Sequence, residues 1–333
     1  MKRFMTIGSI VVLASSVLLM SELASATTSG KNGRIAFRRY LNDDHTRGAI
    51  FTVNPDGSGE HRLTHPGRNV VDTEPDWSPD GRWIVYTTWP ENDSDASSIL
   101  KIRANGHHRT QLSQTCTDDC AFDGFPAWSP NGRRIAFERG LMPSDPDDFN
   151  WLIAIYVMQA DGTEAVRITH KGETADEPNR FRDHAPAWSP DGDRLVFERY
   201  SVSRQKSAVF TIALDGTGER RLSPWRLDAA QPDWSPNGRW IAFRTQERSD
   251  SDGDIFLVHP NGKGLHRVVG GRGKWLSCSF SPNGKRIQAG HAPGSGDDGA
   301  ADVYVFHLDG SNLRNVTQSN AWESASDWGP QSR

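Results

Sequence analysis

One short motif recurs along this chain, and its recurrence constrains the fold more than any other feature. The segments "PAWSPNGRRIAFER" at 126–139 and "PAWSPDGDRLVFER" at 186–199 are nearly identical. Related segments begin at Pro75, Pro232 and Ser279, and a last short copy ends at Pro330. Copies spaced 46 to 60 residues apart indicate a repeat architecture. The aromatic anchors of the six copies are Trp77, Trp128, Trp188, Trp234, Phe280 and Trp328.

Each repeat has the pattern of four short strands. The anchor ends a first strand, and an SPDG or SPNG turn follows, in which proline presets φ and glycine accepts a positive φ. The second strand, such as "RIAFER", alternates apolar and polar residues. A third, apolar strand leads into an Asp-Gly or Asn-Gly hairpin turn and a short fourth strand. Four antiparallel strands repeated around an axis are typical of a β-propeller blade.

The two ends of the chain complement each other. The N-terminal copy begins at a second strand, "GRIAFRR" from Gly33, whereas the C-terminal copy contains only the first strand around Trp328. If the C-terminal strand joins the three N-terminal strands, a sixth blade is complete and an open sheet edge is removed. We therefore predict an all-β fold, a six-bladed β-propeller over residues 31–330 whose ring is closed by the C-terminal strand.

The consensus PxWSPDGxxIAF followed by DGxxxxRLT resembles the WD40-like repeat of TolB-type propellers over the whole predicted propeller. The resemblance implies a six-bladed ring that serves protein–protein contact. We expect neither the additional N-terminal α/β domain of TolB nor the C-terminal hydrolase domain of propeller-bearing peptidases. The resemblance therefore implies nothing about what those domains do.

The first 26 residues have the pattern of a secretory signal peptide. Lys2 and Arg3 precede the apolar run "IGSIVVLASSVLLM", and the small residues Ala24–Ala26 follow. An uncleaved anchor is the alternative. We predict an exported protein, secreted or periplasmic, without a transmembrane segment in its mature chain. The formal net charge of −4 gives no basic surface for nucleic acid, so none is predicted as a partner.

The chain contains three cysteines. Cys116 and Cys120 in "TCTDDC" are disulfide candidates, because export favours oxidation, and Cys278 is predicted to be buried and free. A metal pair is the alternative, but two thiols without further ligands make a poor zinc site.

The loops of such a meander divide between two faces of the disc. Turns from first to second and from third to fourth strands are short and repetitive, and we call their side the tight-turn face. The other loops vary and include all the long insertions, and we call their side the variable-loop face. Binding sites usually lie on irregular loops that a rigid scaffold holds. We therefore predict a monomer that binds a protein, a peptide or an envelope polysaccharide through this face and the channel mouth at its centre.

Two groups of residues on the variable-loop face are candidates for binding. Carboxylates before the first strands should converge at the channel mouth, where they bind a basic segment or a cation or are simply solvated. Loop aromatics either stack on a sugar or grip a peptide, or they only pack small loop clusters. The mouth candidates are Asp72, Glu74, Asp123, Asp183, His184, Asp228 and Glu323, and the aromatic candidates are Trp89, Trp225, Trp275 and Trp322.

Evidence for a metal or for catalysis is weaker. Asp250, Asp252 and Asp254 in "DSDGD" resemble part of a calcium loop, but the glycine is misplaced and no glutamate follows at loop position twelve. No cofactor is predicted, with calcium or another divalent cation as the alternative. The sequence contains no P-loop, zinc-protease or nucleophile-elbow motif. We predict binding rather than catalysis, and leave open a metal-dependent lyase or lactonase at the mouth and a carbohydrate-binding propeller that uses the loop tryptophans.

Overall fold

The computed structural model describes residues 29–90, 97–113, 120–141, 152–170, 180–246, 253–294 and 300–332. Over these residues the chain is almost entirely β-structure, with one 3-10 turn at Trp225–Leu227. The all-β class that the sequence predicts is thereby confirmed.

The strands are numbered in chain order. The first seven are β1 (Asn32–Tyr40), β2 (Gly48–Val53), β3 (His61–Arg62), β4 (Val70–Trp77), β5 (Trp83–Pro90), β6 (Ser98–Arg103) and β7 (Thr110–Gln111). The next eight are β8 (Cys120–Trp128), β9 (Arg134–Leu141), β10 (Leu152–Gln159), β11 (Val166–Arg167), β12 (Phe181–Trp188), β13 (Arg194–Ser201), β14 (Lys206–Ala213) and β15 (Arg220–Arg221). The last nine are β16 (Ala229–Trp234), β17 (Ile241–Thr245), β18 (Ile255–Val258), β19 (His266–Val269), β20 (Lys274–Phe280), β21 (Arg286–Ala292), β22 (Asp302–His307), β23 (Arg314–Asn315) and β24 (Glu323–Pro330).

Four of the sheets are four-stranded antiparallel meanders, namely β8–β11, β12–β15, β16–β19 and β20–β23. The remaining strands form one mixed sheet in the order β24-β1-β2-β4-β5-β6-β7, with β3 on β2. In that sheet β24 pairs antiparallel with β1, and a parallel pair between Gly48 and Val71 links β2 to β4. The eight strands thus contain two further four-stranded units joined by that parallel pair.

The sheets pack face to face, which explains why their third strands are predominantly apolar. Every residue of β2, "GAIFTV", is buried, because neighbouring units cover both of its faces. The anchors lie in these interfaces. Trp188 clusters with Ala127 of the preceding sheet. In the same way, Trp234 clusters with Val196 and Val209 of the sheet that precedes it. The recurring tryptophans therefore pack the core between sheets.

Each first strand is called an inner strand here, and each contains the same irregularity. The register between an inner strand and the following strand shifts once in β4, β12, β16 and β20 and twice in β8 and β24. In β4, two residues lie opposite one, since Thr73 faces Thr87 and Asp76 faces Val85. The backbone is left-handed at Glu74, Phe125, Ala185, Gln231 and Ala325.

The inner strands contact one another in sequence. β4 contacts β8, β8 contacts β12, β12 contacts β16, β16 contacts β20, β20 contacts β24, and β24 contacts β4. Aspartates tie several of these neighbours together. Asp327 accepts a hydrogen bond from the Trp77 amide at 3.0 Å. Asp76 accepts one from the Trp128 amide at 2.6 Å. The residue before one anchor thus fixes the anchor of the next sheet.

Trp328 should be essential for stability, because it joins the two ends of the chain. Its side chain is 1% exposed, packs with Ile35 and Phe37, and donates from Nε1 to the Gly33 carbonyl at 3.2 Å. We expect Trp328→Ala to lower the free energy of unfolding by about 3–5 kcal/mol in urea denaturation. The partly exposed Trp322 is the matched control, and Trp322→Ala should cost about 1 kcal/mol or less. Equal losses in the two variants would contradict this role for Trp328.

Candidate functional site

Two of the carboxylates predicted at the channel mouth are buried within their sheets. Each is paired with an arginine of the following strand. Asp123 accepts two hydrogen bonds from Arg139, at 2.7 and 2.8 Å. Asp183 accepts two from Arg199, at 2.6 and 2.7 Å. Both aspartates are at most 2% exposed. Arg199 is itself buried and lies over the rings of three phenylalanines. Paired geometry of this kind offsets the cost of burying the charges.

Two further mouth candidates occupy the same register in other units. Asp72 accepts a hydrogen bond from the Thr88 hydroxyl at 2.9 Å, and Glu323 accepts one from Arg39 Nε at 2.6 Å. Burial raises the pKa of both carboxyls, and their partners oppose the increase. These two side chains are also almost fully buried. The register of the inner strand against the next strand therefore directs this set of acids into the sheets, and a role for them in binding stays a prediction.

Asp228 lies apart from these pairs. It follows the 3-10 turn in a left-handed conformation and accepts a hydrogen bond from the Ser207 amide at 2.7 Å. Burial raises the pKa of its carboxyl. Asp228 thus fixes the loop that enters β16.

The irregular positions of the inner strands meet at one cavity. The cavity has a volume of about 120 Å³ and is lined by residues of all six inner strands. Among its lining residues are Glu74, Phe125, Ala185, Gln231, Ser277 and Ala325, one from each of those strands. The left-handed residues are therefore arranged around a common axis, and Glu74 is the predicted mouth residue that the structure places there.

Glu74 also bonds to the next sheet. Its Oε2 accepts the Thr87 hydroxyl at 2.7 Å and the Phe125 amide at 2.9 Å. Burial and the nearby Glu138 carboxylate raise the pKa of Glu74 to about 7. Gly124 lies between the two acids, since a β-carbon there would be 3.6 Å from Glu74 Oε2 and 3.8 Å from Glu138 Cγ. The missing side chain leaves space beside both carboxylates.

Glu138 repeats this arrangement one sheet further on. Its Oε2 lies 3.1 Å from His184 Nδ1 and accepts the Ala185 amide at 3.1 Å. Burial lowers the pKa of His184, but the charge of Glu138 and its hydrogen bond outweigh burial and raise the pKa to about 9. His184 is thus a cation at neutral pH, and it forms an ion pair with Glu138 of the preceding sheet.

Glu198 occupies the same position in the following unit. It accepts the Ser207 hydroxyl at 2.6 Å and the Gln231 amide at 3.3 Å. Gln231 in turn accepts Arg244 Nε at 2.7 Å. Arg38 donates to the Thr73 hydroxyl at 3.2 Å. Burial lowers the pKa of Arg38, and the nearby charge of Glu74 opposes that decrease. We call this band of polar side chains the mouth ring, and its members are Arg38, Glu74, Glu138, His184, Glu198, Gln231 and Arg244.

Sequence analysis identified two members of the mouth ring, Glu74 and His184, and missed the other five. Four of those five occupy one repeat position, directly after the aromatic residue of the second strand, as in "FER" and "FRT". That recurrence was a detectable signal. The bulge that brings the position against the next sheet was not visible in the sequence.

The four candidate tryptophans belong to four different units, and three of them pack against other aromatic side chains. Trp275 is 4% exposed and lies 4.3 Å from the His291 ring. Trp225 stacks on Phe181 at 6.5 Å, and Trp89 lies 5.9 Å from Phe122.

Trp322 differs from the other three, because it lines an open pocket beside β1. The alternative of a carbohydrate-binding propeller that uses these loop tryptophans stays a prediction.

The predicted metal and disulfide sites lie partly outside the described residues. Asp250, Asp252 and Cys116 fall there, so their predicted roles stay predictions. Asp254 lies 3.4 Å from Arg267 Nη1. Cys120 is disulfide-bonded and Cys278 is free and buried.

The described residues lack two further features. In those ranges, no group of three or more histidine, cysteine or acidic side chains is arranged to hold a metal ion. The same part of the chain contains no helix with the length and apolar character needed to span a bilayer.

No protein-family model matches the chain. An uncharacterized protein of Agrobacterium fabrum is 30% identical over 155 residues, which cover 45% of this chain and 47% of that protein. The chain thus spans about half the length of the curated relative that it matches.

Solved structures with the same architecture cover most of the chain. TolB from Acinetobacter baumannii superposes with a TM-score of 0.67 at 17% identity, over 90% of this chain and 67% of that one. A TolB candidate from Agrobacterium tumefaciens gives 0.57 at 17% identity, over 91% and 100%. An oligogalacturonate lyase in complex with manganese gives 0.53 at 13% identity, over 88% and 77%. At such identities the likeness concerns the fold alone, and the fold is that of TolB-like β-propellers.

The Glu138–His184 pair predicts a specific dependence of stability on pH. Because the pKa of His184 rises from 6.5 to about 9 on folding, its contribution is complete below about pH 6.5 and is lost as pH rises through 9. We expect side-chain NMR titration to place the pKa of His184 near 9, and Glu138→Gln to lower it. Stability between about pH 7 and pH 10 should fall less in His184→Gln than in the native chain.

The exposed His61 is the control for this experiment, and His61→Gln should leave the pKa of His184 unchanged because the Glu138–His184 pair stays intact. A pKa for His184 near its ordinary value in the native chain would refute the pairing.

Proposed function

We propose that this chain is a TolB-like six-bladed propeller that binds a cationic peptide segment of a partner protein in its mouth ring. The six-bladed ring, closed by β24 beside β1, is part of the proposal. It is supported by the six four-stranded units, by the pairing of β24 with β1 and by the succession of inner-strand contacts.

The observation that carries this function is the pair of acids around Gly124. Within the described residues, every hydrogen bond to Glu74 and Glu138 is made to Oε2. Oε1 of each acid can therefore accept a donor from a ligand. The mutual repulsion of these acids contributes to the raised pKa of Glu74. An ammonium or guanidinium group between them would relieve that repulsion and restore the charged form of Glu74.

The size of the cavity favours a side chain over a free small molecule. Sites for cofactors and substrates usually measure about 300–1,000 Å³, whereas this cavity has about 120 Å³. That volume suits one lysine or arginine side chain whose backbone stays on the variable-loop face. A rigid scaffold with loops around such an opening is a common form of peptide-binding site.

Fluorescence anisotropy with the labelled peptides Gly-Ala-Lys-Lys-Ala-Gly and Gly-Ala-Glu-Glu-Ala-Gly tests this proposal. The lysine peptide should bind at about pH 8, and Glu74→Gln should weaken it about tenfold, because one carboxylate charge is lost. Binding to the native chain should also weaken below about pH 7, where Glu74 takes up a proton.

The matched control is Glu164→Gln, which removes an exposed glutamate on the tight-turn face and should not affect binding. Equal affinity for the glutamate peptide, or unchanged affinity in Glu74→Gln, would rule the site out.

We further propose that the chain is exported and that residues 1–26 are removed. Intact-mass measurement of the protein from the exported fraction should give a chain that begins at Thr27. Reduction should add two hydrogen atoms if Cys116 and Cys120 are bonded. The variant Ala26→Arg should remain unprocessed, because the cleavage site requires a small residue there. A native chain that keeps Met1 would contradict export by this route.

A further inference from the structure

A second cavity lies on the variable-loop face, outside the mouth ring. It is formed between the β1–β2 loop and the β23–β24 loop and has a volume of about 600 Å³. This volume falls within the range of small-ligand sites. Its lining includes Tyr40, Asn42, Asp43, His45, Asn320 and Trp322.

One side of this pocket is aromatic. Tyr40 stacks on His45, with ring centroids 4.4 Å apart and planes 12° apart, and Arg38 lies 4.3 Å from the Tyr40 centroid. Trp322 stands 6.0 Å from His45 at 50° and is partly exposed. The Trp322 indole therefore offers an apolar surface beside a supported pair of rings, which is the arrangement that the C–H face of a pyranose prefers.

Several polar groups of the pocket have no hydrogen-bond partner within the described part of the chain. They are the Tyr40 hydroxyl, the Asn320 side-chain amide and the Trp322 indole N–H. Together they provide donors and acceptors beside an apolar wall. A ligand with many hydroxyl groups and one apolar face would bond to these polar groups and also pack against the apolar wall.

Internal hydrogen bonds hold the two loops in place. Asn42 closes the first loop, since its Nδ2 donates to Thr46 Oγ1 at 2.7 Å and its Oδ1 accepts the Arg47 amide at 2.9 Å. Asp302 holds the second loop by accepting the Ser319 amide at 2.7 Å. A preformed pocket loses less conformational entropy when it binds a ligand.

The charges around the pocket select against anions. Arg39 lines it, but its guanidinium donates to Glu60 at 2.6 and 2.7 Å and to Glu323 at 2.6 Å. Asp43 is exposed and contributes a negative charge. A uronate or phosphate in this pocket would therefore lie near the Asp43 carboxylate. The charge of Arg39 is already neutralised by two glutamates and would not offset the repulsion.

We propose that this pocket binds a neutral saccharide unit, with the sugar ring against Trp322 and its hydroxyls bonded to Tyr40 and Asn320. The site is separate from the mouth ring and does not depend on peptide binding there.

Isothermal titration calorimetry with maltotriose, cellotriose, mannotriose, tri-N-acetylchitotriose and trigalacturonate tests the proposal. At least one of the four neutral trisaccharides should bind with a Kd of about 1 mM or tighter. Trp322→Ala and Asn320→Ala should each weaken that binding about tenfold. Asn320 is exposed, so its variant keeps the test valid if Trp322→Ala unfolds. Glu74→Gln should leave sugar binding unchanged, which distinguishes this pocket from the mouth ring.

Three results would overturn the proposal. The first is that none of the neutral trisaccharides binds at about 10 mM, a level at which even weak sites are occupied. The second is a preference for trigalacturonate. The third is sugar binding that survives both Trp322→Ala and Asn320→Ala. If Asn320→Ala instead weakens the lysine peptide and no sugar binds, the pocket belongs to the peptide site.

Discussion

The structure depends on the way each unit satisfies the backbone of the next. A β-bulge leaves an amide without a ladder partner, and a buried amide without a partner is costly. Here the partner comes from the neighbouring sheet, where Glu74 accepts the Phe125 amide and Glu138 accepts the Ala185 amide. The bulge in one strand and the contact between two sheets therefore depend on the same hydrogen bonds. Because the bulged residues line the central cavity, the same bonds also place charge at the centre of the fold.

The carboxylates of the inner strands therefore have two different roles. Three of those before the bulge, Asp123, Asp183 and Glu323, are neutralised by an arginine of the next strand. Those at or opposite the bulge, Glu74 and Glu138, are close together and only partly compensated. Paired charges of the first kind secure the structure. An acid whose pKa is raised by another acid is typical of a functional position.

The sequence was sufficient for the fold class and insufficient for the site, and the reason lies in the register. The spacing of Trp77 and its equivalents, together with the turn residues, predicted four-stranded antiparallel units. An extra residue at each bulge changes which side chains share a face, and local propensity does not reveal it. Asp123 was therefore expected at an open mouth but lies buried against Arg139, whereas Glu138 was not considered and lies beside Gly124, close to Glu74.

The mouth ring and the pocket beside Trp322 differ in their electrostatics. At the mouth ring, two acids lie close together, and burial and the charge of Glu138 raise the pKa of Glu74. At the Trp322 pocket, Asn42 and Asp302 hold the loops, and the charge of Arg39 is already neutralised. Arg39 bonds to Glu323, and the adjacent Arg38 bonds to Ser324 of the same inner strand. Arg38 belongs to the mouth ring and Arg39 lines the pocket, so two adjacent residues of β1 serve two proposed sites of different chemistry.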